Sequence, residues 1–180
     1  MPSRTGSGFQ GAIQVRADSF TGERPPCPRN CPGQVHRHGS YFRYAAPAGD
    51  ERERIQRWRC PKCGLTISIL PVTRLPYRPV TVPRLEAFLD SQAGIASGLD
   101  PPPGPLEAGC LRRAWARFQT RGRILQDAFG LLVASVISGA ADLWTQMRRA
   151  KESLRGILHF LAQSGKRSLL RDYRCLRLPA

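Results

Sequence analysis

Two closely spaced cysteine pairs are the feature of this 180-residue chain that most limits how it can fold. Cys27 and Cys31 lie in the segment CPRNC, and Cys60 and Cys63 lie in CPKCG. Each spacing lets two thiolates from one turn reach the same ion. In the second pair, the proline after the first cysteine and the glycine after the second let backbone N–H groups turn toward the sulfurs. A segment of hairpin length separates the pairs, so they are predicted to converge on one ion.

Four thiolates with no open coordination position indicate structural zinc, with one Zn²⁺ per chain, rather than a catalytic metal. The segment between the pairs has few large aliphatic side chains and cannot bury enough surface to fold alone. Zinc binding supplies about 10 kcal/mol to modules of this kind. One alternative is a set of unrelated buried or redox-active dithiols. Another is that His36 or His38 replaces a cysteine, although we expect both on an exposed strand face because four cysteines saturate the ion.

The basic charge of the chain points to a polyanionic partner. The formal net charge is +15, the pI is near 10.9, and only three of the 28 basic residues are lysine. Arginine suits phosphates and guanine edges, so DNA is the expected partner and RNA stays open. The longest apolar stretch, 129–144, is interrupted by glycines and Asp142 and is shorter than the span of about 20 residues that a bilayer requires.

The N-terminus lacks the apolar core of a secretory signal. We therefore predict no membrane partner and a cytoplasmic, nucleoid-associated location in a bacterium. Disulfides are rare in the cytoplasm, so the six cysteines are interpreted as thiols or metal ligands.

Patterning along the chain predicts an α+β fold: a small antiparallel β zinc ribbon, a helix-turn-helix-like unit and C-terminal helices. The ribbon contains a hairpin with strands at 34–45 and 52–59 and a third strand at 65–70. A linker containing four prolines follows, and Thr81 is the predicted N-cap of the first helix. The predicted divisions are a loosely ordered arm at 1–25, a zinc ribbon at 26–75, a helix-turn-helix-like unit at 76–123, a C-terminal helical hairpin at 124–165 and a basic tail at 166–180. The arm contains a candidate edge strand at 12–15. The helices of the C-terminal hairpin are predicted near 122–149 and 151–164.

The second helix of the helix-turn-helix-like unit is predicted to have two contrasting faces. Its apolar stripe comprises Leu106, Cys110, Leu111, Ala114, Trp115 and Phe118. Its polar face, which we predict to contact nucleic acid, comprises Arg112, Arg113 and Arg117 and continues to Arg121 and Arg123. The alternative is an ordinary solvated helix face. The hairpin also carries six arginines, which form either a second phosphate contact or simply the solvent side of a small sheet. They are Arg37, Arg43, Arg52, Arg54, Arg57 and Arg59.

Three segments of the chain resemble a known family. CPRNCPGQVHRHGSYFRY, RWRCPKCGLTISILP and LPYRPVTVPRLEAF are similar to the zinc-ribbon plus helix-turn-helix proteins associated with bacterial transposases and insertion sequences, many of them domains of unknown function. The resemblance covers about residues 26–120. It implies that the four cysteines hold zinc and that CLRRAWARF is the recognition helix. The chain departs from the family in its longer first cysteine spacing and its longer connection at 94–104.

The sequence predicts a binding protein rather than an enzyme. Metal-dependent strand transfer needs three carboxylates in an α/β nuclease core, and the acidic residues after residue 70 follow no convincing apolar strand. The first hypothesis is a DNA-binding protein that acts as a regulator or belongs to a mobile element. The alternatives are an RNA-binding ribbon and a protein-interaction module that docks on a transposase or forms a homodimer.

Overall fold

A computed structural model describes residues 12–16, 24–44, 52–71, 73–75, 78–130, 138–164 and 168–170, the first of these ranges as backbone only. In these ranges a β-sheet precedes a set of α-helices, which confirms the predicted α+β fold. We call residues 24–71 the ribbon, and we call the described residues from 73 onward the helical unit.

The sheet contains the predicted hairpin and two further strands. The order of the strands is β1-β4-β3-β2; β2, β3 and β4 are antiparallel, and β1 pairs in parallel with β4. The predicted edge strand near residue 12 is therefore confirmed, and the connection between β2 and β3 lies outside the described residues. The strands are β1 (Ala12–Arg16), β2 (His36–Tyr44), β3 (Arg52–Arg59) and β4 (Thr66–Leu70).

Alternation along β3 gives the sheet two different faces. Trp58 and Ile55 are both buried, but they lie on opposite faces because they are three residues apart in a strand. Trp58 pairs with Ile67 of β4 and packs in the core of the ribbon around the cysteines. β4 is buried on both faces, as expected for an interior strand of the sheet.

Five helices form the described part of the helical unit. Thr81 caps the first helix as predicted, because its hydroxyl accepts a hydrogen bond from the backbone N–H of Arg84. No described helix has the length and apolar character needed to cross a membrane. The helices are α1 (Val82–Gln92), α2 (Pro105–Gln119), α3 (Gly122–Phe129), α4 (Ala140–Lys151) and α5 (Leu154–Gln163).

The prediction of one helix over 122–149 is wrong. Gly130 follows α3 in the left-handed conformation with φ of 65°, and its N–H bonds back to carbonyls of the last turn. This arrangement ends a helix, and glycine adopts it without the penalty that a Cβ would add. Helix α4 begins only at Ala140, and residues 131–137 lie outside the described residues.

One apolar core joins all five helices to the segments that flank them. Leu75 and Val80, from the proline-rich segment predicted as a linker, are buried in it. Leu169 and Leu170 are also buried there, so the core extends past residue 165 into the segment predicted as a basic tail. Both flanking segments thus contribute to packing.

A buried polar network ties α1 to α4 and α5. The Asp90 carboxylate accepts hydrogen bonds from the indole N–H of Trp144 at 2.7 Å and from Nε of Arg148 at 3.0 Å. Glu86 pairs with Arg148 at 2.8 Å and accepts from the backbone N–H of Leu154 at 3.1 Å. The network satisfies polar groups that would be costly to bury without partners.

Candidate metal centre and nucleic-acid interface

Two tight turns bring the cysteine pairs together. In the first, the backbone N–H of Asn30 bonds to the carbonyl of Cys27 at 2.8 Å, and Asn30 has φ of 53°. In the second, the N–H of Gly64 bonds to the carbonyl of Cys60 at 2.9 Å, and Gly64 has φ of 68°. Glycine and asparagine tolerate the left-handed region best, so both sequences suit these turns. In CPRNC, asparagine accommodates the extra residue between the cysteines.

The four sulfurs meet at one point. The ligand atoms of Cys27, Cys31, Cys60 and Cys63 all lie within 4.8 Å of one another, and the sulfurs of Cys27 and Cys63 are 3.7 Å apart. Sulfurs at the corners of a tetrahedron with Zn–S bonds of about 2.3 Å are separated by about 3.8 Å. All four are free thiols. The cluster is therefore compatible with a structural zinc site, as the cysteine spacing predicts.

The surroundings of the thiols differ in how they affect ionisation. Hydrogen bonding from the backbone N–H of Cys63 lowers the pKa of Cys60 to about 7. Hydrogen bonding with the thiol of Cys63 raises the pKa of Cys31 to about 12, and burial raises the pKa of Cys27. The mutual proximity of the sulfurs thus disfavours four thiolates by themselves. A divalent cation removes this penalty, because a coordinating thiol is deprotonated outright.

Histidines do not contribute to the cluster. His36 and His38 are exposed on β2, as predicted, and the group of candidate metal ligands among the described residues consists of the four cysteines. Cys27 and Cys60 are buried beside Val35, Trp58 and other apolar side chains, which keeps water from two of the four sulfurs.

Helix α2 buries a stripe that is shifted from the predicted one. Leu111, Ala114 and Phe118 are buried as predicted, but Leu106 is 77% exposed, so its assignment to the stripe is wrong. Glu107 takes that place, because a stripe that descends from Phe118 in steps of four, three and four residues reaches position 107.

Glu107 is buried because it forms an ion pair with α1. Both of its carboxylate oxygens accept hydrogen bonds from the guanidinium of Arg84, each at 2.9 Å. The carboxylate raises the pKa of Arg84. This two-point contact fixes the first turn of α2 against α1. Helical periodicity does not predict it, because a glutamate counts as a polar residue that belongs on the exposed face.

The two aromatic side chains of the predicted stripe, Trp115 and Phe118, are buried to different extents. Phe118 is completely buried and meets Trp144 edge to face, with ring centroids 5.9 Å apart. Trp115 is only half-buried and stacks on Phe118 with centroids 5.5 Å apart. The main aromatic contact of α2 with the core is therefore Phe118.

Three of the predicted nucleic-acid residues lie on α2 opposite its buried stripe, and the other two, Arg121 and Arg123, lie at the start of α3. Arg112, Arg113, Arg117 and Arg123 are exposed. Arg121 is half-buried and occupies the N-cap position of α3, so it lies apart from the exposed set.

Small residues separate the arginines of α2, a feature that the sequence prediction did not use. At about 100° per residue, Arg112, Ala116, Gly109, Arg113 and Arg117 occupy an arc of about 140° in that order. The acidic residue of α2, Glu107, faces α1 instead. We call this arc the α2 basic face. The guanidinium of Arg113 lies back over Gly109: its Nη1 is 3.3 Å from the position that a Cβ of Gly109 would take, and its Nη2 donates to Sγ of Cys110 at 3.2 Å.

The hairpin arginines separate into two groups. Arg43 lies on the side of the helical unit, where its guanidinium donates to the backbone carbonyls of Leu75 and Arg78. Arg57 is half-buried beside the ring of Tyr41. Arg59 is also half-buried, whereas three remain exposed: Arg37, Arg52 and Arg54.

The chain between α1 and α2 is long, as the sequence indicates. Residues 93–104 separate the two helices, whereas only Thr120 and Arg121 separate α2 from α3. The connection between α2 and α3 is therefore short, and the connection between α1 and α2 is long. Comparison of the chain with protein-family models, with curated proteins and with solved structures gives no match.

Proposed function

We propose that this chain is a DNA-binding protein in which one structural zinc ion holds the ribbon and the α2 basic face enters the major groove. The observation that carries the DNA part of the proposal is the separation of α2 into a buried stripe and an arginine arc without an exposed acid. Arginines on such a helix reach guanine edges and the adjacent phosphates.

Zinc is the metal proposed because of the ligand set. Four thiolates arranged as a tetrahedron favour zinc or an iron–sulfur cluster over harder cations, and the sulfur separation of 3.7 Å fits a single small ion. The ion has a structural role here, since four protein ligands leave no position for substrate.

The resemblance of residues 26–120 to transposase-associated proteins supports a role in a mobile element or in its regulation. Binding without catalysis is proposed, with a transposase or a second copy as the protein partner. An RNA-binding or protein-interaction ribbon is the alternative.

The decisive experiment is selection of bound duplexes from a random pool at physiological salt. We expect a shared motif, and we expect Arg113→Ala to weaken binding to that motif by about 1–3 kcal/mol and to relax the preference at one base pair. The matched control is Arg149→Ala, which removes an exposed arginine from α4. We expect this variant to bind selected and scrambled duplexes with nearly wild-type preference.

Two results would count against the proposal. If Arg113→Ala and Arg149→Ala weaken both duplexes equally across a salt series, α2 has no role in sequence recognition. If the selection gives no motif while structured RNA competes fully, the RNA-binding alternative replaces DNA binding.

A further inference from the structure

The hairpin of β2 and β3 exposes two aromatic side chains on one face. Phe42 is 65% exposed and Tyr44 is 53% exposed, and the two lie on the same side of β2 because they are two residues apart. Their Cα atoms are therefore about 7 Å apart along the strand. The cross-strand partners of these residues are Arg54 and Arg52. We call these four residues the hairpin face.

Local contacts hold the arginines beside the rings. Arg52 lies over the ring of Tyr44, 5.2 Å from its centroid, and its Nη2 is 3.3 Å from the Tyr44 hydroxyl. Arg54 donates from Nε to the hydroxyl of Ser40 at 2.8 Å, on the same side of the sheet. Each guanidinium is thus positioned with donors still directed to solvent, since both residues are exposed.

Charge on the hairpin face has a single sign among the described residues. Glu53, the neighbouring acid of β3, alternates to the opposite side of the sheet and pairs there with Arg74 at 2.9 Å. Further along the hairpin face, Arg37 adds a third exposed cation over Trp58, 5.8 Å from the ring centroid. Such a surface is complementary to a polyanion that also carries flat apolar groups.

We propose that the hairpin face binds single-stranded nucleic acid, with bases stacked on Phe42 and Tyr44 and phosphates held by Arg52 and Arg54. Exposed aromatics beside arginines are the combination that sequence-tolerant single-strand binders use, because every base has a stacking surface. Base pairs in a duplex keep those surfaces covered. This binding site is separate from the α2 basic face and goes beyond the duplex recognition proposed above.

A second copy of the chain is a less suitable occupant. β2 is an edge of the described sheet and offers backbone groups for pairing, but two copies would bring the arginines of both hairpin faces together. The bulge between Arg37 and Ser40, where Gly39 has φ of 81°, also interrupts the regular pattern of that edge.

The test compares two double variants of the full-length, zinc-loaded chain for binding to labelled oligo(dT), oligo(rU) and a duplex. Phe42→Ala/Tyr44→Ala removes both rings, and we expect affinity for the single strands to fall by about tenfold for each ring lost. Phe42→Leu/Tyr44→Leu keeps apolar side chains but no aromatic surface, and we expect nearly the same loss. The two single strands distinguish DNA from RNA as the preferred source.

The matched control removes other exposed apolar side chains, in the variant Leu106→Ala/Ile124→Ala. We expect it to bind oligo(dT) as the wild type does. Zinc content and circular dichroism establish that each variant is folded; if the alanine variant is not, the leucine variant decides.

Unchanged single-strand affinity in either hairpin variant overturns the proposal. If the affinity is unchanged and a dimer is lost in light scattering, the hairpin face is instead assigned to self-association. Duplex recognition by α2 and single-strand binding by the hairpin face can fail separately. Arg113→Ala should weaken duplex binding and leave oligo(dT) binding nearly unchanged, and the hairpin variants should do the reverse.

Discussion

In the ribbon, the buried side chains surround four cysteines, whereas in the helical unit they form a continuous core of aliphatic and aromatic residues. Val35, Trp58, Leu65, Ile67 and Ile69 supply most of the apolar volume of the ribbon core. The helical core draws on all five helices and on the segments that flank them. We therefore expect the ribbon to depend on a bound metal for its stability, and the helical unit to be stabilised by apolar burial.

The largest expected effect is that of metal loss, which should destabilise the ribbon and leave the helical unit folded. Cys60→Ser/Cys63→Ser removes half of the ligands, and we expect the loss of about one zinc equivalent and of about 10 kcal/mol of metal-derived stabilisation. The ribbon should then exchange amide hydrogens rapidly while α1, α4 and α5 stay protected. Elemental analysis and hydrogen exchange measure both outcomes.

Cys110→Ser is the control, because Cys110 lies on α2 away from the cluster. It should retain its zinc. Unchanged metal content in the Cys60→Ser/Cys63→Ser variant would refute the metal site, and simultaneous loss of helical protection would refute the independence of the two regions.

The converse change weakens the helical unit and leaves the metal site in place. Phe118→Ala opens a cavity beside Trp144, and we expect the free energy of unfolding to fall by about 3–5 kcal/mol. Trp115→Ala should cost less, because that ring is only half-buried. Urea titration followed by circular dichroism ranks the two variants, and equal losses would contradict the difference in burial.

A smaller effect is expected from the polar network of the helical unit. Asp90→Ala leaves Arg148 and the indole N–H of Trp144 without their shared acceptor. Because both groups are largely buried, we expect a loss of about 3 kcal/mol in the free energy of unfolding. Asp127→Ala, at an exposed position of α3, should change it by less than about 0.5 kcal/mol. A loss in Asp90→Ala no greater than in this control would show that the network contributes little.

The smallest effect concerns the junction between the two regions. Glu53 of β3 forms an ion pair at 2.9 Å with Arg74, which lies at the start of the helical unit. The side chain of Arg74 is 6% exposed and that of Glu53 is 32% exposed. A double-mutant cycle with Glu53→Gln and Arg74→Gln should give a coupling energy of about 1 kcal/mol. A coupling near zero would show that this ion pair does not stabilise the junction, leaving the contacts of Arg43 with Leu75 and Arg78 as the other polar contacts named there.

Local patterns were enough to predict several parts of the fold. The two cysteine turns, the hairpin, the strand near residue 66 and the cap at Thr81 follow from residue type and short-range geometry, and the structure contains all of them. The exposed arginines of α2 follow from helical periodicity in the same way. In each case the sequence signal, a residue type, a spacing or a hydropathy pattern, lies within a short stretch of the chain.

Contacts between distant segments determined the rest. Glu107 is buried because Arg84 of α1 meets its carboxylate, and Leu106 is exposed as a result of the same register. Phe118 rather than Trp115 fills the core because Trp144 of α4 lies against it. Likewise, Arg43 lies on the face of the sheet that meets the helical unit and joins the two regions, whereas Arg52 and Arg54 lie on the other face and stay exposed. The sequence does not indicate which face of the sheet another element covers. A hydropathy pattern gives the polarity of a position, but the partner that an ionic or aromatic side chain meets depends on how distant elements pack.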